Sequence, residues 1–350
     1  AAAAAAADMG KLLCESTPAV AETLKPSPPL LAWQDPAPIP PLETAAAPDP
    51  ACHNPWDDVR GLEDRQRRSL QKLYARGVFW RSKGDAAGPA PGTTFRLSHG
   101  GDVEADGNCL FTASRRAVGL GKVGARELRQ RTVRRFLEDY ASDGPREREA
   151  MDAAIRHLYS PDLRAGWGIH VVQEVKLLAR KADRELLDAA IQELLDLGLQ
   201  RENAAESIYK ERCIPVDDAS SWAKYMSISG SPEDEFDIIT LQYTEEGLLS
   251  IDENRGGHAA AFGDDIAIGS LATEFGRQIF VVQAHGSDAM VDEEHSIFFL
   301  PHHPRGQIHE PPFFLFMKGT GWCGAGADHY EPLISHPIPL VSQEKAAFLL

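Results

Sequence analysis

Gly101-Asp102-Val103-Glu104-Ala105-Asp106-Gly107-Asn108-Cys109-Leu110-Phe111-Thr112-Ala113 is the stretch around which the chain is organised. Asp106, Gly107 and Asn108 are turn formers, and Asp and Asn tolerate the backbone angles that sharp turns need. From Leu110 the pattern changes: Leu110, Phe111, Ala113, Ala117 and Val118 recur at helical spacing, with Arg115 and Arg116 on the opposite side. The spacing predicts a helix that begins at or next to Cys109. Unpaired N–H groups at a helix start, together with the helix dipole, stabilise an anion there. A thiol in that position is expected to have a lowered pKa. The same N–H groups can hold the oxyanion of an acyl-transfer intermediate.

A lone Cys at a helix start is more often a small buried hydrophobe than a nucleophile. A suitable partner changes that balance. Far along the chain lies Gly319-Thr320-Gly321-Trp322-Cys323-Gly324-Ala325-Gly326-Ala327-Asp328-His329-Tyr330-Glu331-Pro332-Leu333. A histidine follows a glycine-rich loop, with an acid two positions further on. In an extended segment these two side chains point to the same side. Glu331 is then placed to orient the His329 ring, the role of the third member in a nucleophile–base–orienter triad.

At these residues the sequence resembles the ovarian-tumour (OTU) family of cysteine peptidases, most of which are deubiquitinases. Asp106-Gly107-Asn108-Cys109-Leu110-Phe111 is similar to the family's nucleophile motif, and His329-Tyr330 with a polar residue after it is similar to its histidine motif. Trp222-Ala223-Lys224-Tyr225-Met226 and the run from Phe262 to Ala272 resemble two further blocks, and Ile279-Phe280-Val281-Val282 stands where the family has its next strand. The blocks occur in the family's order and span roughly residues 97–336. The chain departs from the pattern in having Phe262 where Trp is more usual, Thr112 where a bulkier or basic residue is more usual, and long spacers between blocks. The resemblance implies an α/β (α+β) cysteine peptidase fold, a central mixed sheet flanked by helices. It implies Cys109 as nucleophile, His329 as base, Glu331 as orienter, and an oxyanion turn of backbone N–H groups braced by Asp106. It implies ubiquitin, polyubiquitin chains and ubiquitinated proteins as partners, and no metal or cofactor.

Composition narrows the classes. The 350 residues are 43% hydrophobic and carry a formal net charge of −16. Such a balance argues against nucleic acid, whose binding requires neutralising phosphates, and against anionic membranes. Five scattered cysteines (14, 52, 109, 213 and 323) point to a reducing compartment, so cytoplasm or nucleus, and not to a disulfide framework. No run approaches the length of a membrane span. The first residue is Ala, which leaves open a fragment or a processed form.

Residues 1–54, with a seven-Ala tract and recurrent Pro, read as a disordered tail. Residues 55–92 read as a helical lead-in, Asp57 to Trp80, followed by a linker. Residues 93–340 read as the catalytic domain, opening on a strand from Thr93 to Leu97. Within it, 145–211 reads as an enlarged helical insertion, with helices over Ala150–Leu158, His170–Leu178 and Leu186–Leu197. In the family, the helices at this place form an arm that contacts ubiquitin; extra packing is an equal reading. Strands are expected over Asp237–Tyr243, Leu248–Asp252, Gln278–Gln283, Ser296–Leu300 and Phe313–Met317, interrupted by a helix over Ile266–Phe275.

Two patterns invite other chemistry. Gly119-Leu120-Gly121-Lys122-Val123-Gly124 matches the dinucleotide fingerprint, yet that fingerprint must follow a strand, and here a helix precedes it. It reads as a helix stop before a helix from Ala125 to Tyr140. His295, His302, His303 and His309 have spacings that fit no compact zinc site, and prolines break the segment. The expectation is a thiol-dependent deubiquitinase, with a catalytically silent ubiquitin-binding module of the same fold as the alternative.

Overall fold

The computed structural model describes residues 54–81, 92–165, 172–286, 296–308, 310–319, 329–338 and 347–349. The tail assigned to 1–54 and the glycine-rich loop before His329 lie outside the described residues, Asn54 and Gly319 excepted. What is described is a mixed α+β arrangement of eight helices and two sheets.

In chain order, α1 (Asp64–Arg76) leads into β1 (Val78–Trp80) and β2 (Thr93–His99). The helices α2 (Cys109–Ala117), α3 (Ala125–Ser142) and α4 (Pro145–Tyr159) follow. Next come β3 (Gln173–Arg180), α5 (Arg184–Asp196), α6 (Arg201–Arg212), β4 (Ile214–Pro215) and α7 (Ala219–Ser227). The chain continues through β5 (Phe236–Thr244), β6 (Gly247–Asp252), α8 (Asp265–Phe275), β7 (Ile279–Ala284), β8 (Ile297–His302), β9 (Phe313–Lys318), β10 (His329–Ile338) and β11 (Ala347–Leu349).

Seven strands form one sheet in the order β11-β1-β2-β10-β9-β7-β8, with β1/β11 and β7/β9 parallel and the other pairs antiparallel. Its two faces follow from residue alternation. In β9, Phe314 and Phe316 face a core shared with Trp56, Leu70, Leu73, Phe95, Leu97 and Leu333. Phe313 and Leu315 face the other core, with Leu110, Phe111, Leu128, Phe136, Trp222, Ile268, Leu271 and Tyr330. A run of four Phe/Leu residues buried on both sides is the signature of a strand between two layers.

The lead-in is part of this fold. The helix expected from Asp57 to Trp80 stops at Gly77 (φ 77°), and Val78-Phe79-Trp80 turns into a strand paired with β2 on one side and β11 on the other. The β-branched and aromatic residues favour a pleated surface, and Gly77 supplies the backbone angle that ends the helix. Gln66 donates to the Ala284 carbonyl (2.8 Å) and Trp56 Nε1 to the Leu97 carbonyl (3.1 Å), which fixes α1 to the sheet.

The insertion is also built differently from the all-helical expectation. The segment expected as a helix over His170–Leu178 is the strand β3, in register with β5 from Gln173↔Tyr243 to Arg180↔Phe236; residues 166–171 lie outside the described residues. Val175, Leu177 and Ala179 alternate, a period-2 signal that a short apolar run does not distinguish from a helix turn. With β4 and β6, β3 and β5 form a second, antiparallel sheet. The strands thus divide over two sheets instead of one central sheet. Leu187, Ile191, Ile208 and Tyr209 from α5 and α6 cover it, packing on Leu177, Ile239, Leu241 and Tyr243.

Asp264 ties the helical layer together. Its side chain caps α8 by accepting from the Ala267 amide (2.7 Å) and also accepts from Trp222 Nε1 (2.9 Å) and the Tyr159 hydroxyl. Burial raises its carboxyl above the ordinary value, and these donors act against that.

Candidate active site

Asp106 closes the nucleophile turn: its Oδ1 accepts from the Asn108 amide at 2.8 Å. Gly107 has φ 78°, and a Cβ there would lie 2.6 Å from the Ala260 Cβ, so both the backbone angle and the space demand glycine. The carbonyl of Asn108 accepts the first bond of α2, from the Thr112 amide (2.9 Å). Its side chain makes no capping bond; it donates instead to the Ser229 carbonyl at 3.0 Å. The helix-start amides are therefore left without a side-chain cap.

Arg129 holds this turn from beneath. It is 0% exposed, and it donates to the Gly107 carbonyl (2.8 Å), Asn108 Oδ1 (3.0 Å) and the Met226 carbonyl (2.9 Å). Its guanidinium lies 4.5 Å from the centre of the Phe111 ring. Burial pushes its pKa down to about 10, against the pull of Tyr225, Asp234, Cys109 and Asp106. One planar fork thus joins α3, α7 and the nucleophile turn.

Cys109 begins α2 and is 1% exposed. Burial raises its thiol above the ordinary value, opposed by hydrogen bonds from the backbone of Tyr330 and of Leu110 and by the Arg129 charge. The lowered thiol pKa expected from the helix start is not found in this conformation: desolvation outweighs the helix-end donors. The two ends of the chain meet in one core, which holds both Cys109 and Tyr330, the residue after His329.

His329 opens β10, opposite Lys318 of β9. Its Nε2 donates to the Val103 carbonyl at 2.9 Å. A carbonyl only accepts, so Nε2 carries the proton and Nδ1 of the neutral ring holds the free electron pair. Among the described residues Nδ1 has no hydrogen-bond partner. Val103, six residues before Cys109, therefore fixes the tautomer of His329.

Glu331 is 2% exposed. Its Oε2 lies 2.6 Å from His99 Nε2, its Oε1 accepts from Lys318 Nζ at 3.2 Å, and Oε1 stands 3.9 Å from His329 Nε2. The separation from His329 exceeds a hydrogen bond. Glu331, expected as the orienter, is thus an electrostatic neighbour of the ring, and the orienting bond comes from Val103. Burial raises the Glu331 carboxyl, but His99 and Lys318 outweigh it and hold the group below its ordinary value.

His99, Asp102 and Glu331 bring one possible ligand atom each to within 4.8 Å of one another. The Lys318 ammonium on Glu331 is already the cation of this cluster, and no metal is assigned to it. Of the histidines weighed for zinc, His303 bonds Gln278 (2.8 Å) and His302 lies 3.9 Å from Asp265, while His295 and His309 fall outside the described residues. Gly119–Gly124 forms the turn between α2 and α3, with the Leu120 amide bonding the Arg115 carbonyl (2.8 Å), so no strand precedes it. Cys213 is buried under the second sheet, away from the Cys109 core; Cys14, Cys52 and Cys323 lie outside the described residues. No helix among the described residues is long and apolar enough to cross a membrane.

Sequence reading missed Arg129, Val103 and His99. Arg129 had a signal, since it sits on the apolar stripe of its helix beside Leu128, Thr132, Val133 and Phe136. Compared with known proteins, the chain matches no family model, and no curated protein matches it.

Proposed function

We propose that this protein is a thiol-dependent deubiquitinase of the OTU type, cleaving the peptide or isopeptide bond after the C-terminal glycine of ubiquitin. The observations that carry the reading are Cys109 at the start of α2, in one core with Tyr330, and His329, the residue before Tyr330, with its proton held on Nε2 by Val103. A thiol at a helix start and a base with a free nitrogen are the two parts that acyl transfer needs.

In the reaction, Nδ1 of His329 takes the thiol proton and Sγ of Cys109 bonds to the carbonyl carbon. The oxyanion rests on helix-start amides. Asn108's own amide is committed to Asp106, so this role falls to the amides that follow it. The C–N bond breaks as His329 returns the proton to the leaving lysine amine, leaving a thioester. Water, deprotonated by His329, then hydrolyses it. Glu331, 3.9 Å from Nε2, stabilises the imidazolium through space.

Two observations favour a second reading, a ubiquitin-binding module without turnover: the thiol is buried and its pKa is raised. One experiment separates them. Ubiquitin bearing an electrophile at its C-terminus should label the protein once, at Cys109, and His329→Ala should slow that labelling strongly. Binding of ubiquitin without labelling would support the silent module, and the absence of both would sink the ubiquitin reading.

A further inference from the structure

His99 lies at the end of β2, and the pairing of β2 with β10 sets it opposite Leu333. Glu331 is two residues from Leu333, so it shares that face and is the diagonal neighbour of His99. His329, two residues further, shares the face as well, and Lys318 stands directly opposite it. One face of three adjacent strands therefore presents His99, Glu331, His329 and Lys318 at their open end. The other face of the same strand end carries Tyr330 and the Cys109 helix.

Within this group Glu331 has two oxygens and three nitrogen neighbours. Oε2 is taken by His99 at 2.6 Å, a short charge-assisted contact. Oε1 is left for Lys318 at 3.2 Å and His329 at 3.9 Å. With Oε2 held by His99, the plane of the carboxylate is fixed and the other oxygen stays turned to His329; without that bond the group is free to tilt out of this plane. His99 is itself fixed: its side chain is 8% exposed, its ring centre lies 6.0 Å from that of Trp56, and Asp102 flanks it.

We propose that His99 is a positioning residue for the reaction assigned to Cys109 and His329: it clamps Glu331 so that one carboxylate oxygen faces the His329 ring. The inference rests on that assignment, and it adds a second histidine that never touches substrate. The clamp makes the imidazolium cheaper to form at the moment His329 takes the thiol proton. A carboxylate released from the clamp turns toward Lys318 and solvent, and the base loses that support.

The test reads the His329 ring directly, by the NMR titration of its Cε1 proton in the full chain, in wild type, His99→Phe and His99→Gln. The charged and titratable groups facing His99 and His329 are Glu331, Lys318 and Asp102; none is altered by either variant. His99→Phe should move the His329 midpoint to lower pH by about half a unit or more, the sign expected when the Glu331 carboxylate turns away from the ring. His99→Gln, which keeps a donor at the same reach, should restore it. With a fluorogenic ubiquitin C-terminal amide, His99→Phe should lower kcat by about tenfold with KM nearly unchanged. An unmoved His329 midpoint in a folded His99→Phe overturns the clamp. Should His99→Phe fail to fold, His99→Leu supplies the same comparison, and an unmoved midpoint there also overturns it. A wild-type protein that ubiquitin electrophiles do not label overturns the functional assignment instead, while the NMR midpoint still decides whether His99 acts on His329.

Discussion

His329 Nε2 donates to the carbonyl oxygen of Val103, 2.9 Å away, so the His329 ring is oriented by the same loop that leads into Cys109. The acid two residues after it is second in line, 3.9 Å from the same nitrogen. Glu331→Gln should therefore leave substantial turnover, about a tenth of wild type, whereas Cys109→Ala and His329→Ala should leave none. Steady-state cleavage of a fluorogenic ubiquitin amide measures all three. Loss in Glu331→Gln equal to that in His329→Ala would mean the carboxylate, not Val103, orients the ring.

Arg129 offers a sharper contrast. Arg129→Met removes three donors and leaves the Gly107 and Met226 carbonyls and Asn108 Oδ1 buried without them. Unsatisfied buried acceptors cost about 1–3 kcal/mol each, so both melting temperature and probe labelling should fall together. Arg129→Lys keeps the charge but lacks the planar fork, and should be intermediate in stability while labelling slowly. A labelling rate equal to wild type in Arg129→Lys would show that charge alone, and no fixed turn, is what the site needs.

The nucleophile turn makes a prediction about a single methyl group. Gly107→Ala forces φ 78° on an alanine and a Cβ 2.6 Å from Ala260. The turn must shift, so labelling at Cys109 should drop by about tenfold or more while the fold survives. Gly121→Ala, where a Cβ meets nothing within 4 Å, is the matched control and should label as wild type. Equal labelling of the two variants would refute a turn fixed by Gly107.

Stability should also depend on Glu331 in acid. Its folded value is held below the ordinary 4.5, so the ionised group stabilises the protein at higher pH. That contribution is complete above the unfolded value and is lost as pH falls through the folded one. Denaturant melts of wild type and Glu331→Gln should thus differ most near neutrality and converge as pH falls through the folded value, which lies below the ordinary one. A gap that stays constant down the pH scale would show that the carboxylate is not held ionised by His99 and Lys318.

The order of the main elements was legible because their periods were long and unambiguous. The helix from Cys109, the turn after it and the apolar strands Ile279–Ala284 and Phe313–Lys318 all show their period in the sequence. The strand Gln173–Arg180 was not, because alternating Val175, Leu177 and Ala179 fit a helix turn as well, and only the pairing with β5 decides. The division into two sheets has no local signal either. Cys109, His329 and Glu331 could be picked out by residue type and spacing. Val103 could not, since it acts through a carbonyl that every residue has. His99 and Lys318 were hidden for another reason: cross-strand register, which no single stretch encodes, makes them neighbours of Glu331.

The seven-stranded sheet interleaves early strands with late ones, β2 beside β10 and β1 beside β11. During synthesis, β1 and β2 leave the ribosome with neither of their later partners yet made. The Cys109 loop then has no His329 to meet, and the base has no β2 edge on which to align. Pairings of such long sequence separation form slowly and late. The Cys109 turn and the strand that carries His329 are consequently brought together only once β10 has been made and docked on β2.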